Sequence, residues 1–193
     1  MNNIRIIEKP SNISWNVIHE ILLAAHSDKN KEGGAQATAF LTGEQLMERV
    51  GKQGKCFIAL VDSKVVGTAS VSLRDKKFWF HKGRIAYYCF AAILPDWQGR
   101  GIFSKLNKAR DVYVKDLGVN VIYIHTSHQN KKMQNICKKH GYRLVGFHAF
   151  KDTDYFSVTL AKWTKGHGKS KLHCFLRYFY YMIRVRLYRR DRT

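Results

Sequence analysis

The chain has 193 residues, of which 34 are Lys or Arg and 14 are Asp or Glu, giving a formal net charge of +20 at pH 7. Apolar types make up 45% of the residues and proline occurs only twice, which excludes a disordered, collagen-like or repeat protein. The length fits one compact domain with an appendage. The charge excess indicates an acidic partner, such as nucleotide phosphates, nucleic acid or an anionic membrane face.

The four cysteines are Cys56, Cys89, Cys137 and Cys174, and their spacing is unlike that of a zinc site or a redox dithiol. They predict reduced thiols and no bound metal. The first residues lack the apolar stretch of a secretory signal, and no apolar run approaches the ~20 residues that span a bilayer. These features favour a cytoplasmic protein.

The first part of the chain predicts a short strand around Ile6 and then a helix that opens at Ser14. The polar stretch 27–36 predicts a loop. Thr42 and Gln45 form a capping-box pair at the start of a second helix.

Two β-prone runs, 56–61 and 65–73, are joined by the short connection 62–64, which favours an antiparallel hairpin. The next run, 84–94, is apolar almost throughout and predicts a strand buried on both faces.

The remaining elements are a helix, a strand, a helix and two strands, predicted in this order over 99–117, 119–126, 131–140, 142–150 and 155–161. Gly118 and Gly141 end the two helices, and Asn130 caps the second. This order predicts an α/β (α+β) fold with a mixed, mostly antiparallel central sheet of about seven strands flanked by about four helices.

The segment from Pro95 to Ile102 lies between the buried strand and an amphipathic helix. Its glycines allow close approach of a ligand, and unpaired N–H groups at the helix start favour an anion. It is neither a Walker loop nor a G-x-G-x-x-G fingerprint, which argues against nucleotide hydrolysis and hydride transfer. The simpler alternative is that the turn only closes a loop.

At this turn the sequence resembles the GNAT superfamily of acyl-CoA-dependent N-acyltransferases, whose signature after the fourth strand is Gln/Arg-x-x-Gly-x-Gly/Ala. Gln98, Gly101 and Phe103 stand at those positions, with Phe103 in place of the usual small residue. The order of elements agrees over roughly residues 3–161.

A later segment is similar to the family's Asn-x-x-Ala-x-x-x-Tyr followed by Gly-Phe. Here the corresponding residues are Asn130, Met133, Cys137, Gly141 and Tyr142.

The resemblance implies acetyl-CoA as co-substrate, lying between diverging fourth and fifth strands with its pantetheine arm along the backbone of Ala92 and Ile93. It implies that main-chain amides at the helix start hold the pyrophosphate. The cofactor-binding residues that it implies, besides Ala92 and Ile93, are Gln98, Gly99, Arg100, Gly101, Ile102, Phe103, Ser104 and Asn130.

The catalytic groups depart from the family pattern. Cys137 stands where the family usually has the Tyr that protonates the CoA thiolate; a thiol can return that proton, and the alternative is a small core residue. The strand 84–94 contains no acid, so the candidate bases are Tyr87, Tyr88, His125 and His128, or these side chains only fill cores and edges.

Residues 164–193 hold three Lys and six Arg against one Asp, a net charge of 9 − 1 = +8. Apolar positions from Leu172 to Leu187 recur at helical spacing and predict a basic, aromatic amphipathic helix. The domain boundary is therefore placed at 163/164. Three roles stay open for the tail: an anionic membrane surface, packing on the body or on a second subunit of a homodimer, and nucleic acid.

The sequence thus predicts an N-acetyltransferase that is cytoplasmic, at the inner face of the membrane if the tail binds lipid. The missing strand acid favours an amine of lowered pKa, such as an amino sugar of a nucleotide- or lipid-linked glycan precursor. The alternatives are a protein N-terminus or a lysine as acceptor, and a non-catalytic CoA-binding module whose tail binds membrane or RNA.

Overall fold

The computed structural model describes residues 3–31, 41–78, 81–149 and 156–164, together with Phe179 and Ile183. It divides into two compact units, Met1–Val119 and Asn120–Thr193. The described residues form seven strands and four α-helices, and the strand pairs described below are all antiparallel. The predicted fold class is confirmed.

The first unit contains, in chain order, β1 (Arg5–Glu8), α1 (Trp15–Lys31), α2 (Gly43–Val50), β2 (Lys55–Val61), β3 (Lys64–Phe78), β4 (His81–Ile93), a short 3-10 turn (Pro95–Trp97) and α3 (Ile102–Lys115). Its strands lie in the order β1-β2-β3-β4. One face of this sheet packs Cys56 and Ile58 against Ile18 of α1. The opposite face packs Ala69 against Leu106 of α3. The sheet is therefore covered by helices on both sides.

Local sequence predicts the start of α2 correctly but does not predict the end of α1. The capping box predicted at Thr42 and Gln45 is present in both directions, at 3.0 and 3.2 Å. Helix α1 runs to Lys31, so the predicted loop 27–36 is wrong over its first five residues. No Gly or Pro interrupts 27–31, and an established helix propagates until a breaker or a cap stops it. Residues 32–40 lie outside the described part of the chain.

The hairpin between β2 and β3 is tighter and longer than predicted. Val61 pairs with Lys64, so only Asp62 and Ser63 form the turn, with φ of 47° and 69°. Two positive φ values in a two-residue connection define a type I′ turn, which suits the twist of the strands. Strand β3 continues beyond the predicted end at residue 73 to Phe78, because its polar half still pairs with β4.

The second unit contains β5 (Val119–Ser127, starting at the unit boundary), α4 (Lys131–Lys139), β6 (Arg143–Ala149) and β7 (Phe156–Trp163), with β7 paired to both other strands. Asn130 caps α4, as predicted, by accepting a hydrogen bond from the Met133 N–H at 3.1 Å. Gly141 follows the helix with φ of 83°.

The predicted tail, 164–193, lies outside the described residues except for Thr164, Phe179 and Ile183, so the boundary at 163/164 stays a prediction. Phe179 and Ile183 are helical and exposed by 57% and 47%. None of the helices in the described ranges combines the length and the apolar character that a bilayer crossing needs.

Candidate functional site

The segment between β4 and α3 joins a buried strand end to a buried helix start. Ile93 at the end of β4 and Ile102 at the start of α3 are 9% and 1% exposed, and they pack in the same core cluster. The side chain of Gln98 donates from Nε2 to the Ile93 carbonyl at 3.2 Å, which ties the connection back to the strand. We call residues 98–104 the amide turn.

The amide turn presents main-chain donors. The Gln98 N–H is already used, because it donates to the Pro95 carbonyl at 3.1 Å, and the first helical bond runs from the Lys105 N–H to the Gly101 carbonyl. Within the described residues, no acceptor contacts the N–H groups of 99–104, and no side chain caps α3. A helix start with unsatisfied amides attracts anions.

Two glycines make room for that anion. Gly99 and Gly101 have φ of 77° and 73°, in the left-handed region that other residues avoid. A Cβ at either position would meet no atom within 4 Å among the described residues, so the space before these amides is open. The amide turn therefore fits the diphosphate of CoA, which the sequence resemblance implies as co-substrate.

Phe103, the departure from the family motif, does not fill this space. It is half-buried and packs with Trp97 against the core cluster of Ile93, Ile102 and Leu106. The ring thus substitutes for a small residue by joining the core.

Positive charge surrounds the amide turn. The exposed Arg100 guanidinium lies over the Trp97 ring at 4.7 Å, which holds it beside the glycines. Lys105, one turn into α3, is also exposed. Both charges can neutralise phosphate oxygens that the amides do not reach.

Strand β4 carries a bulge next to this end. Thr68 pairs with Ala92 and Ser70 pairs with Cys89, so Phe90 and Ala91 oppose Ala69 alone. Phe90 has φ of 50°, a conformation that is strained for a bulky residue. We call Phe90 and Ala91 the β4 bulge. A bulge leaves backbone groups unpaired and bends the strand, and such bulges are enriched at active sites.

The two tyrosines before the β4 bulge face opposite sides of the sheet. The Tyr88 hydroxyl donates to Asp111 Oδ1 on α3 at 2.6 Å, and its ring lies 4.2 Å from the Arg110 guanidinium. Tyr87 faces the other side, where its ring lies 5.3 Å from the Arg74 guanidinium. Tyr88 is thus engaged with α3, whereas Tyr87 belongs to the face that carries α1.

The other predicted catalytic residues belong to the second unit. Cys137 is 2% exposed on α4. His125 is exposed on β5, with Nδ1 3.1 Å from the Thr159 hydroxyl. The His128 carbonyl accepts from Gln134 Nε2 at 2.9 Å, in the turn before α4. The Asn130 side chain is used as the helix cap, and the catalytic roles of these residues stay predictions.

Two buried thiols of the first unit are unsuited to nucleophilic chemistry. Burial raises the pKa of Cys56, and hydroxyls of Ser70 and Thr68 oppose that shift. Cys89 keeps some exposed surface, yet burial of its thiol raises the pKa to about 12, against the lowering charge of Arg110. Cys56, Cys89 and Cys137 are free cysteines in the structure. Across the described ranges no cluster of His, Cys, Asp and Glu could hold a metal ion.

The sequence pattern missed Arg110. The structure buries Arg110 together with Ile102, Leu106 and Val114 on the face of α3 that meets the sheet. The Arg110 guanidinium, 1% exposed, donates to the Ser70 carbonyl at 3.2 Å and to Asn107 Oδ1. An i+4 step from Leu106 was the available signal, but a charged residue is not expected on a core face.

The structure combines an antiparallel sheet covered by helices, a bulged strand and a turn of free amides. These features define a transferase that takes a diphosphate-bearing co-substrate. The chain belongs to the acetyltransferase (GNAT) family, whose sequence model matches residues 15–142. It is therefore an acyl-CoA-dependent N-acyltransferase with acetyl-CoA as its co-substrate.

Solved structures share the fold at low sequence identity. A GNAT family acetyltransferase from Elizabethkingia anophelis with acetyl-CoA bound is 14% identical, with a TM-score of 0.58 over 84% of this chain and 99% of that one. The ribosomal-protein-S18-alanine N-acetyltransferase from Escherichia coli is 14% identical, with a TM-score of 0.64 over 87% and 98%. A chain of the NatC complex bound to Gag peptide and CoA is 10% identical, with a TM-score of 0.66 over 84% and 99%. No curated protein matches this chain.

Proposed function

We propose that this acetyltransferase acts on the primary amine of a small anionic acceptor, an amino sugar of a nucleotide- or lipid-linked glycan precursor. The observation that carries the proposal is the absence of any Asp or Glu from residues 84–94, the strand beside the amide turn. An amine of lowered pKa is neutral near pH 7 and needs no strong base to become a nucleophile. The net charge of +20 attracts anionic acceptors and repels polyamines.

The amides of 99–104 hold the pyrophosphate of acetyl-CoA in this proposal. Gln98 contributes by fixing the turn to Ile93, and Arg100 and Lys105 supply charge. The backbone of Ala92 and Ile93 is proposed to pair with the pantetheine arm. Donors aimed at an anion before it arrives need no reorganisation on binding.

The transfer itself forms a C–N bond between the acceptor amine and the acetyl carbonyl carbon and breaks the C–S bond to CoA. The amine loses a proton, and the departing CoA thiolate gains one. Cys137 is proposed to supply the second proton, and His125 or His128 to accept the first through water. Tyr88 is the weakest of these candidates, because its hydroxyl already donates to Asp111.

Release of the CoA thiol across a panel of acceptors tests this function. We expect release with amino sugars and their phosphorylated forms that exceeds release with alanine-initiated peptides and lysine. Release with peptides alone would show instead that the acceptor is a protein N-terminus, the second candidate described below. Binding of acetyl-CoA with no release by any acceptor would favour a non-catalytic module.

A protein N-terminus is that second candidate. The S18-alanine N-acetyltransferase and the NatC complex share this fold, and the second was solved with a peptide. The peptide arm of the panel decides between the two acceptor classes.

For the tail, we propose attachment to an anionic membrane, which would place the protein at the inner face of the cell membrane. Phe179 and Ile183 are exposed apolar residues of that segment. Flotation of the full chain with anionic vesicles is expected, and Phe179→Asp with Ile183→Asp should abolish it. Flotation unchanged by both substitutions would contradict the membrane role.

A further inference from the structure

We propose that Arg74 and Tyr87 form a binding site for an oxyanion, a phosphate or a carboxylate, on the acceptor. The inference rests on the proposed function in one respect, that the acceptor approaches β4 on the face opposite α3. We call the two residues the anion pair.

The register of the central strands places the anion pair on one face. Tyr87 pairs with Ser72, and Arg74 pairs with Ile85, so Arg74 and Tyr87 are diagonal neighbours across β3 and β4. The Arg74 guanidinium lies 5.3 Å from the centre of the Tyr87 ring. A guanidinium held against a ring keeps its planar fork in a fixed orientation, which suits bidentate binding of an oxyanion.

The donors of Arg74 remain available for a ligand. Its side chain is exposed and lies against the Tyr87 ring, and among the described residues its guanidinium makes no hydrogen bond or ion pair. The acid beside it in sequence, Asp75, instead accepts from Arg84 Nε at 3.2 Å. Arg84 also donates to the Leu117 carbonyl, after α3, so that pair belongs to the opposite face. Arg74 thus carries a preoriented charge that meets no counter-charge in the part of the chain that the structure describes.

The anion pair lies on the face of β4 opposite α3, which is the face that carries α1, and Arg74 is exposed there. On the other face, Tyr88 packs against Arg110 and Asp111 of α3. On the Tyr87 face, the central strand presents the buried hydroxyls of Ser70 and Ser72, 0% and 4% exposed. Because these hydroxyls are buried, the groups of this face that we propose meet the acceptor are the exposed Arg74 and the half-buried Tyr87, and a charged guanidinium suits an anionic acceptor.

The spacing suits a small acceptor. Phe90 of the β4 bulge follows Tyr87 by three positions, and a strand rises about 3.3 Å per residue, so about 10 Å separates the two sites. The long Arg74 side chain and one sugar ring together span that distance. An amino sugar with a phosphate or carboxylate can therefore bind the anion pair and present its amine near the bulge.

The test compares amino sugars that differ in charge, titrated calorimetrically into the full chain saturated with CoA. The probes are D-glucosamine, D-glucosamine 6-phosphate and muramic acid, which carry no anion, a phosphate and a carboxylate. We expect the anionic sugars to bind the wild type about 10- to 100-fold more tightly than glucosamine, the gain expected of charge-assisted hydrogen bonds. The better of the two anionic probes identifies the group recognised.

Substitutions then assign the gain to the anion pair. Arg74→Gln should remove the gain in affinity for the anionic sugars while leaving glucosamine and CoA binding unchanged. Tyr87→Leu should reduce that gain more than Tyr87→Phe, which keeps the ring. Arg84→Gln removes the same charge from the neighbouring strand on the opposite face and should leave the gain intact. Thermal melting of each variant checks that the chain is folded.

Equal binding of the three sugars by the wild type, no binding of any of them, or equal effects of Arg74→Gln and Arg84→Gln would each overturn the proposal. Failure of the proposed function is a separate result. An anionic sugar that binds through Arg74 but releases no CoA thiol with acetyl-CoA would support the anion pair and refute the transfer to amino sugars.

Discussion

Arg110 is the residue whose environment departs most from what its side-chain type predicts. It is buried between β3 and α3, where its charge is met by a backbone carbonyl, the Asn107 amide oxygen and the face of Tyr88. Burial of a charge costs less when part of its donor set is hydrogen-bonded and its aliphatic stem packs. Arg110 thereby ties α3, and with it the amide turn, to the centre of the sheet.

We expect Arg110→Ala to lower the free energy of unfolding by about 3 kcal/mol, because it leaves a cavity and an unpaired Ser70 carbonyl. Urea denaturation measures the change. Lys108→Ala, on the exposed side of the same helix, should change it by less than about 0.5 kcal/mol. Equal effects of the two substitutions would show that Arg110 does not anchor α3.

The raised pKa of the Cys89 thiol leads us to expect that the free energy of unfolding decreases at alkaline pH. Its pKa is raised to about 12 in the folded chain, from a value of 9.0 for an unperturbed thiol. The folded state therefore keeps a proton that the unfolded state loses, and this contribution to stability is complete below pH 9 and lost as the pH rises toward 12. The expected slope is about 1.4 kcal/mol per pH unit.

The comparison of wild type with Cys89→Ala isolates this thiol from the other titrating groups. The free energies of unfolding of the wild type and Cys89→Ala, measured from pH 8 to 10.5, should converge as the pH rises. Only the wild type loses the stability that the protonated Cys89 thiol contributes. Parallel curves would mean that the Cys89 thiol titrates normally in the folded chain.

The sequence predicts the β2–β3 connection as an antiparallel hairpin, but it does not predict the two-residue type I′ turn that the structure shows. Type I′ turns favour Asn-Gly and Asp-Gly, and here Ser63 occupies the second position with φ of 69°. Ser63→Gly should raise the free energy of unfolding by about 0.5 kcal/mol, since relief of strain exceeds the added chain entropy. Ser63→Ala is the control and should give no gain. Destabilisation by Ser63→Gly in thermal melting would contradict the assigned turn.

Periodicity and caps predicted the existence and order of the seven described strands and four described α-helices, but not the 3-10 turn Pro95–Trp97. Thr42 and Asn130 cap helices through local hydrogen bonds that their own sequence contexts encode. The errors are at ends set by tertiary pairing, such as the extension of β3 to Phe78 along β4. The end of α1 was also missed, because polar residues without Gly or Pro fit a loop and a helix equally well.

The amide turn could be predicted from the sequence, because its conformation depends on local glycines. The parts of the candidate site that depend on pairing between strands could not be predicted. Gly99 and Gly101 reveal the amide turn because few other residues adopt its conformation. The β4 bulge has no such marker, since Phe90 is an unusual residue at positive φ. The anion pair was equally hidden, because Arg74 and Tyr87 are adjacent only through the β3–β4 register.

The molecule as a whole unites a strongly basic composition with the amide turn, for which we propose a diphosphate ligand. Its +20 charge raises the local concentration of any anionic ligand but does not choose among them. We propose that the choice of CoA depends on the amide turn, where main-chain donors without acceptors lie beside the open space at Gly99 and Gly101. The central claim is therefore that residues 99–104 bind the pyrophosphate of acetyl-CoA.

Calorimetric titration of acetyl-CoA into the wild type, Gly101→Leu and Gly118→Leu at one fixed ionic strength tests that claim most directly. Gly101 and Gly118 both have positive φ and open space at Cβ, at opposite ends of α3, so the two substitutions impose similar backbone strain. We predict micromolar binding by the wild type, the same binding by Gly118→Leu, and none detectable by Gly101→Leu while that variant still unfolds cooperatively. Unchanged binding by folded Gly101→Leu, or equal losses in the two variants, would contradict the claim.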